Sequence, residues 1–139
     1  MEPSPVVLTM TLPQVPDIEM VAIEGLQRLG RHLGIADDKI GEAKILVTEA
    51  VINAFEHAGV TVARVEVEFT MTRSELTILV RDYGKGFEPS SVEEPDIDRK
   101  LGTAHKRGWG LKLMRSMSDD FRIDSNDTGT RITLKKKLV

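Results

Sequence analysis

The sequence of 139 residues predicts a single α+β domain, a two-layer α/β sandwich in which helices cover one face of a mixed, mostly antiparallel sheet. Two observations carry this prediction. Segments that alternate apolar and polar residues come in hairpin-like pairs, and segments with helical spacing separate them. The resulting order is strand, helix, helix, strand, strand, loop, helix, strand, strand. It contains no internal repeat or linker, so we expect one domain over residues 1–139.

The first half of the chain predicts one strand and two helices. Residues 6–12 are rich in Val, Leu and Thr and end before Pro13, which favours a strand. Apolar residues recur at helical spacing over 18–33, and Asp17 is in position to cap that helix. Residues 38–58 follow as a second helix. It is apolar on more than one side, so we expect it to pack against the sheet over much of its surface.

The second half predicts two hairpins, separated by a loop and a short helix. Residues 61–70 alternate, whereas 75–81 are more continuously apolar, so we expect the second of these strands to be the more central one. Residues 88–107 are polar and show no periodicity, and loops of that length are uncommon unless they are functional or disordered. The last predicted elements are a helix over 108–117 and strands over 120–125 and 130–138.

Composition limits the classes of protein that fit. A hydrophobic content of 40%, a charged content of 29% and a net charge of -3 fit a globular protein without a nucleic-acid-binding surface. The lysine run at 135–137 is interpreted as a solvated strand end. Cysteine is absent, which excludes disulfides and thiolate metal sites. No apolar run approaches the ~20 residues of a membrane span, and the N-terminus lacks signal-peptide features, so we expect a cytoplasmic protein without membrane contact.

Polar residues interrupt the second predicted helix along one side. Glu49, Asn53 and His57 are spaced four residues apart and therefore lie in one row. A carboxylate one turn from an amide can help to hold a divalent cation, orient a water or accept a proton from a nucleophile. The row also fits a solvated helix edge without a chemical role. His57 is interpreted as a packing or hydrogen-bonding residue rather than as a catalyst.

Glycine pairs occur at two places where the predicted secondary structure changes. Gly108 and Gly110 open a helix, where backbone N–H groups and the helix dipole favour an anion such as phosphate. Their spacing matches neither the P-loop nor the Rossmann fingerprint. Asp82 ends a strand and is followed by Gly84 and Gly86. Its carboxylate can accept a hydrogen bond from an adenine amine, or it can simply belong to a β-turn.

Three motifs, in this order and at these separations, resemble those of a known superfamily. The segments EAVINAFEHA (49–58), DYGKGF (82–87) and GWGLKLM (108–114) are similar to the N-box and the two glycine boxes of the GHKL ATP-binding proteins. The resemblance covers almost the whole chain and implies the Bergerat ATP-binding fold, with an ATP lid over residues 88–107. A stand-alone domain of this length resembles the bacterial anti-sigma-factor serine/threonine kinases.

The resemblance also implies a role for individual residues. Glu49 would be the general base, and Asn53 would be a ligand of the Mg²⁺ that bridges the ATP phosphates. Asp82 would bind the adenine amine, with support from Thr130 through a water. The other residues of the implied ATP site would line the adenine pocket or contact the phosphates: Gly84, Gly86, Phe87, Lys106, Arg107, Gly108, Trp109, Gly110 and Leu111.

Three of these residues have a second interpretation. Lys106 and Arg107 fit solvated charges of the lid as well as they fit phosphate contacts. Trp109 departs from the small or basic residue that is usual between these glycines, and it could pack against the lid or a partner.

The implied function is a protein kinase that binds ATP and Mg²⁺, sequesters a sigma factor or similar regulator, and phosphorylates a STAS-type anti-sigma antagonist. The family also suggests a homodimer. The alternative is a non-catalytic, nucleotide-binding switch module that regulates a partner by docking. A histidine kinase is disfavoured, because His32 lies on a helix too short for a phospho-acceptor dimerisation pair.

Overall fold

The computed structural model of the chain describes residues 4–58, 64–83 and 107–139. These ranges contain five strands and three helices. In chain order they are β1 (Val6–Pro13), α1 (Glu19–Leu33), α2 (Asp37–Ala58), β2 (Arg64–Met71), β3 (Glu75–Asp82), α3 (Arg107–Met117), β4 (Asp120–Asn126) and β5 (Gly129–Lys137). Every predicted element is present, and its ends lie within about three residues of the prediction, which is close to the spread between ways of defining such ends.

The sheet confirms the predicted α+β sandwich. Its strand order is β1-β2-β3-β5-β4, and all four pairings between described strands are antiparallel, so the sheet is antiparallel throughout rather than mixed. β3 is the middle strand, as its continuous apolar sequence predicted. The hairpins β2–β3 and β4–β5 meet where β3 pairs with β5.

Alternation along the strands gives the sheet a covered face and an open face. In β3, Leu76, Ile78, Val80 and Asp82 are buried, whereas the residues between them are partly or fully exposed. β2 and β5 repeat this pattern in matching register, so their buried side chains lie on the same face. The helices pack on this covered face, and the hydrophobic core lies between the two layers.

The central helix is α2, which packs against β2, β3 and β5 and lies between α1 and α3. These contacts explain why its sequence is apolar on more than one side. Gly30 of α1 allows the close approach to α2, because a Cβ there would collide with the side chain of Ile40. None of the described helices is long and apolar enough to cross a membrane.

The predicted N-cap of α1 is wrong. Ile18 occupies the N-cap position, and no side-chain hydrogen bond caps the helix. Asp17 instead turns the chain with a φ of 61°, a conformation that Asp tolerates better than most residues. Its backbone carbonyl, rather than its carboxylate, accepts a hydrogen bond from the Met20 N–H at 3.0 Å.

The interpretation of the lysine run as solvated is wrong for Lys136. Alternation in β5 places this side chain on the covered face, where it is only 6% exposed. Its Nζ lies 2.8 Å from Glu42 Oε2 and donates a hydrogen bond to the Met117 carbonyl at 3.3 Å. Glu42 lies on α2 and Met117 ends α3, so one ammonium group joins β5 to two helices. The hydrogen bond from Lys136 to the Glu42 carboxylate, together with the lysine charge, lowers the pKa of Glu42.

Candidate functional site

A buried carboxylate ends the central strand of the sheet. Asp82 is 1% exposed and faces the helices, because it follows the period of Ile78 and Val80. Its Oδ1 accepts a hydrogen bond from the backbone N–H of Thr130 on β5, at 3.2 Å. Thr130 thus holds Asp82 by a direct backbone contact, and its predicted support at the adenine through a water stays a prediction. The Thr130 hydroxyl pairs with Ser125 Oγ at 2.9 Å.

Gly129, at the start of β5, allows this contact. Its φ is 147°, a region that L side chains rarely adopt. A Cβ on Gly129 would collide with the carbonyl oxygen of Asp82 and would lie 3.0 Å from the Cα of Tyr83. The bare glycine lets β5 begin directly against the end of β3. Ser125 was missed by sequence reasoning, although its place opposite Thr130 follows from the hairpin register.

Asn53 is a buried polar residue of α2. Its side chain is 4% exposed, and neither Oδ1 nor Nδ2 has a partner among the described residues. Leaving a buried amide unsatisfied costs about 1–3 kcal/mol, so native proteins rarely do it without a reason. Both atoms are thus available to a ligand, and an amide oxygen is a ligand that Mg²⁺ accepts.

Glu49 precedes Asn53 by one helical turn and is half-buried. Burial raises the pKa of its carboxyl, and the nearby charge of Glu56 adds to the shift. The carboxylate lies against the start of α3, because a Cβ placed on Gly110 would be 3.0 Å from Glu49 Oε2. The absence of a side chain at Gly110 therefore leaves space for the carboxylate of Glu49, the predicted base. The second glycine box on α3 thus lies beside the N-box on α2.

The beginning of α3 offers backbone donors. The helix starts at Arg107, and the N–H groups of a first turn lack partners within the helix, which favours an anion there. Gly110 and Leu111 come later, where N–H groups are in position to bond within the helix. Leu111 is buried and belongs to the hydrophobic core. Phosphate contacts by Gly108 and its neighbours stay a prediction.

Several predicted site residues lie outside the described part of the chain. These are Gly84, Gly86, Phe87 and Lys106. The predictions about the side chains of His57, Arg107 and Trp109 lie outside it as well, although all three residues belong to described helices.

A concavity of about 150 Å³ lies at the same end of the sheet and is lined largely by residues of the open face. Among them, Arg131 pairs with Asp124 at 3.4 Å. Because its arginines and aspartate are exposed and none of Asn53, Glu49 or Asp82 lines it, we do not assign the nucleotide to this concavity. Its lining residues are Arg81, Asp124, Asn126, Thr128, Gly129, Thr130 and Arg131.

Comparison with known proteins places this arrangement in a family. Residues 14–136 match the model of the histidine kinase-like ATPase domain. The serine-protein kinase RsbW of Bacillus cereus (strain G9842) is 30% identical over 127 residues, which cover 86% of this chain and 79% of that protein. The serine-protein kinase RsbW of Bacillus anthracis is 31% identical over the same shares of both chains.

Solved structures show the same fold. The crystal structure of the RsbU and RsbW domains of Rv1364c from Mycobacterium tuberculosis has a TM-score of 0.71 at 20% identity. The match covers 96% of this chain but only 32% of that one, so the chain spans about a third of that protein. The catalytic domain of the histidine kinase ThkA has a TM-score of 0.52 at 13% identity and is covered over 97% of its length. The chain therefore belongs to the family of histidine kinase-like ATPase domains, within its branch of serine-protein kinases.

Proposed function

We propose that this protein binds ATP with Mg²⁺ and transfers the γ-phosphate to a serine or threonine of a STAS-type anti-sigma antagonist. The observation that carries the proposal is the row on α2. A buried amide, Asn53, has no hydrogen-bond partner in the described part of the chain and lies one turn from a half-buried carboxylate, Glu49, whose pKa is raised. Neither feature stabilises the fold, and both suit a site that holds phosphates and accepts a proton.

The adenine would be held at the end of β3. Asp82 would accept a hydrogen bond from the exocyclic amine, which adenine has and guanine lacks at that position. The backbone N–H of Thr130 fixes the orientation of this carboxylate through its bond to Oδ1. Gly84, Gly86 and Phe87 would line the ring. Because a buried, oriented acceptor discriminates against a base that cannot donate to it, we expect ATP to be preferred over GTP.

The phosphates would lie between α2 and the start of α3. Asn53 fits Mg²⁺ because its amide oxygen is buried, unsatisfied and uncharged, and Mg²⁺ takes few protein ligands when phosphate oxygens supply others. When bound, Mg²⁺ would neutralise charge on the phosphates. Gly108 and Trp109, with Lys106 and Arg107, are the proposed phosphate contacts. Gly110 and Leu111 would continue the helix behind them, with their N–H groups in position to bond within it.

Glu49 would act as the general base. In the transfer, the acceptor oxygen forms a bond to the γ-phosphorus, the bond from that phosphorus to the β–γ bridging oxygen breaks, and ADP leaves. The hydroxyl proton passes to the Glu49 carboxylate. A raised pKa suits this role, since a carboxylate with a higher pKa accepts a proton more readily.

The proposed partners are the antagonist and a sigma factor or similar regulator, which the kinase would sequester as a homodimer in the cytoplasm. Phosphorylation would release the antagonist, because about two added negative charges disrupt an interface that lacks arginines to receive them. The alternative, a switch module that binds nucleotide without transferring phosphate, would use the same Asp82 and Asn53 but would not need Glu49.

The test is incubation with ATP, Mg²⁺ and a STAS-domain antagonist from the same genome, with phosphate incorporation measured by mass spectrometry. We expect Glu49→Gln to bind ATP like the wild type and to transfer phosphate at least about 100-fold more slowly. Transfer at the wild-type rate would remove Glu49 from the role of base. ATP binding without transfer to any antagonist by the wild type would favour the switch module.

A further inference from the structure

The outer edge of α2 exposes two large aliphatic side chains on either side of the proposed base. Ile45 is 43% exposed and Ile52 is 39% exposed. They precede and follow Glu49 by four and three residues, so at about 100° per residue all three lie within a narrow strip of the helix surface. We call Ile45 and Ile52 the α2 ridge.

The packing of α2 leaves this ridge open. The sheet lies beneath the helix, with α1 on one side and α3 on the other. Glu49 borders Gly110 of α3, whereas Ile45 and Ile52 keep about two fifths of their surface exposed among the described elements. Isolated exposed aliphatic residues are ordinary on protein surfaces. The α2 ridge differs because its two members bracket the residue that has to meet the acceptor hydroxyl.

The spacing of the α2 ridge fits a short extended segment. Seven residues of α-helix rise about 10 Å, so Ile45 and Ile52 are separated by that distance along the helix axis, with Glu49 between them. An extended chain covers about 10 Å in three residues. A hydroxyl residue held at Glu49 would therefore place its near neighbours in sequence over the two isoleucines.

We propose that the α2 ridge is the docking surface for the acceptor protein, whose phosphorylated serine or threonine lies on a segment with aliphatic side chains on both sides. This inference rests on the proposed kinase function and adds the chemistry of its substrate. The occupant is the acceptor rather than an unrelated partner, because the ridge is continuous with Glu49 and the acceptor has to cover Glu49 during the reaction. Ile45 and Ile52 touch the substrate without taking part in the chemistry, so they determine specificity.

The test measures steady-state transfer to the STAS-domain antagonist for Ile45→Ser, Ile52→Ser and the double variant. Burying about 40% of an isoleucine side chain stabilises a complex enough that each loss should raise KM for the acceptor roughly tenfold. We expect kcat to stay within about twofold of the wild type and the Kd for ATP to be unchanged, since neither residue contacts the nucleotide. Val15→Ser is the matched control, because Val15 is 49% exposed but lies between β1 and α1.

A double-mutant cycle identifies the occupant. Aliphatic residues that flank the phosphorylated residue of the antagonist are changed to serine and combined with the ridge variants. If the two sets of residues touch, the combined change raises KM by less than the product of the single changes. Unchanged KM in the double ridge variant would overturn the inference. So would a change of oligomeric state in light scattering, which would make the ridge an interface between copies of this chain.

Direct titration of the antagonist, with ATP present, separates this inference from the proposed function. If the wild type binds the antagonist without phosphorylating it, and the ridge variants weaken that binding, the docking surface stands and the kinase proposal fails. If the ridge variants bind as well as the wild type, the docking surface fails whether or not phosphate is transferred. If the wild type neither binds nor phosphorylates it, both proposals fail.

Discussion

At the end of β3, polar groups are buried on one face of the sheet and exposed on the other. On the covered face, Asp82 is buried beneath the helices and is oriented by a backbone N–H. On the open face, the adjacent residues Arg81 and Tyr83 lie near the surface. Successive residues of one strand therefore face the helical layer and solvent. Burial makes the covered face sensitive to single changes, whereas the open face should tolerate them.

The open face carries a network of charges that partner one another. The Tyr83 hydroxyl donates to Glu66 Oε1 at 2.7 Å, which raises the pKa of Tyr83. The guanidinium of Arg81 lies over the Tyr83 ring at 4.9 Å, and Arg64 approaches the same ring at 5.5 Å. Such surface pairs contribute little to stability, whereas the Asn53 amide, which has no partner within residues 4–58, 64–83 and 107–139, lowers it. The difference supports the proposal that the covered side holds a ligand.

Among the substitutions that test this comparison, Asn53→Leu should have the largest effect. Leucine has a similar volume and no polar atoms, so we expect the free energy of unfolding to stay constant or to rise by about 1–2 kcal/mol. Affinity for ATP·Mg²⁺ should fall on the order of 100-fold, because the proposed cation ligand is gone. Chemical denaturation and calorimetric titration measure the two effects. Thr133→Val, on the open face, is the control, and equal loss of ATP binding in both variants would contradict the assignment of Asn53.

Gly129→Ala should have the next largest effect. The added methyl would meet the Asp82 carbonyl at a φ of 147°, so we expect a loss of about 2–4 kcal/mol in the free energy of unfolding. ATP affinity should fall as well, since Thr130 could no longer hold Asp82. Gly41→Ala is the control, because Gly41 lies in α2 with open space around its Cα. The free energy of unfolding of Gly41→Ala should rise by up to about 1 kcal/mol. A Gly129→Ala protein as stable as the wild type would show that the strands can separate without penalty.

The pH dependence of stability tests the environment of Glu49. Its folded pKa is raised, so the folded state binds the proton more tightly than the unfolded chain does. The favourable contribution of Glu49 is therefore complete below the unfolded value of about 4.5 and is lost as pH rises through the raised pKa. We expect Glu49→Gln to be slightly more stable than the wild type at pH 7 and to lose that advantage near pH 4. Thermal unfolding at both pH values measures this difference in stability. If the stability advantage of Glu49→Gln grew in acid, the pKa of Glu49 would be lowered rather than raised.

Arg131→Ala on the open face should have the smallest effect. Arg131 and Asp124 are both 51% exposed and 3.4 Å apart. Exposed pairs of this kind are worth about 0–1 kcal/mol, so the free energy of unfolding should change by less than about 0.5 kcal/mol. ATP affinity should not change. A loss of ATP affinity comparable to that of Asn53→Leu would mean that the concavity near Arg131, rather than the covered face, holds the nucleotide.

The sequence predicted the elements because their signals are local. Period-two strands, a helix with a polar row and glycines at chain reversals each depend on residues within one segment. The position of β5 beside β3 could not be read this way, since strand order depends on contacts across the whole chain. The burial of Lys136 was missed for a related reason. A run of three lysines looks solvated until the register of β5 assigns the middle one to the covered face.

The site was predictable by residue type and only in part by geometry. Asp82, Asn53 and Glu49 stand out as polar residues in apolar segments, because burial of such groups is costly. That Thr130 reaches Asp82 through its backbone, and that Gly110 makes room for Glu49, depends on distances between separate elements. No local pattern encodes those distances.

The ammonium group of Lys136 gives a way to observe the packing of α3 against β5 without nucleotide or partner. Lys135 and Lys137 are exposed on either side of it, so three successive amines differ only in whether the two helices cover them. An amine-reactive reagent should modify the outer two quickly and the middle one slowly, at the rate at which α3 and Glu42 of α2 move away from it. The ratio of the modification rate of Lys136 to the rates of Lys135 and Lys137, measured within one short peptide, would then report how often the helical layer opens.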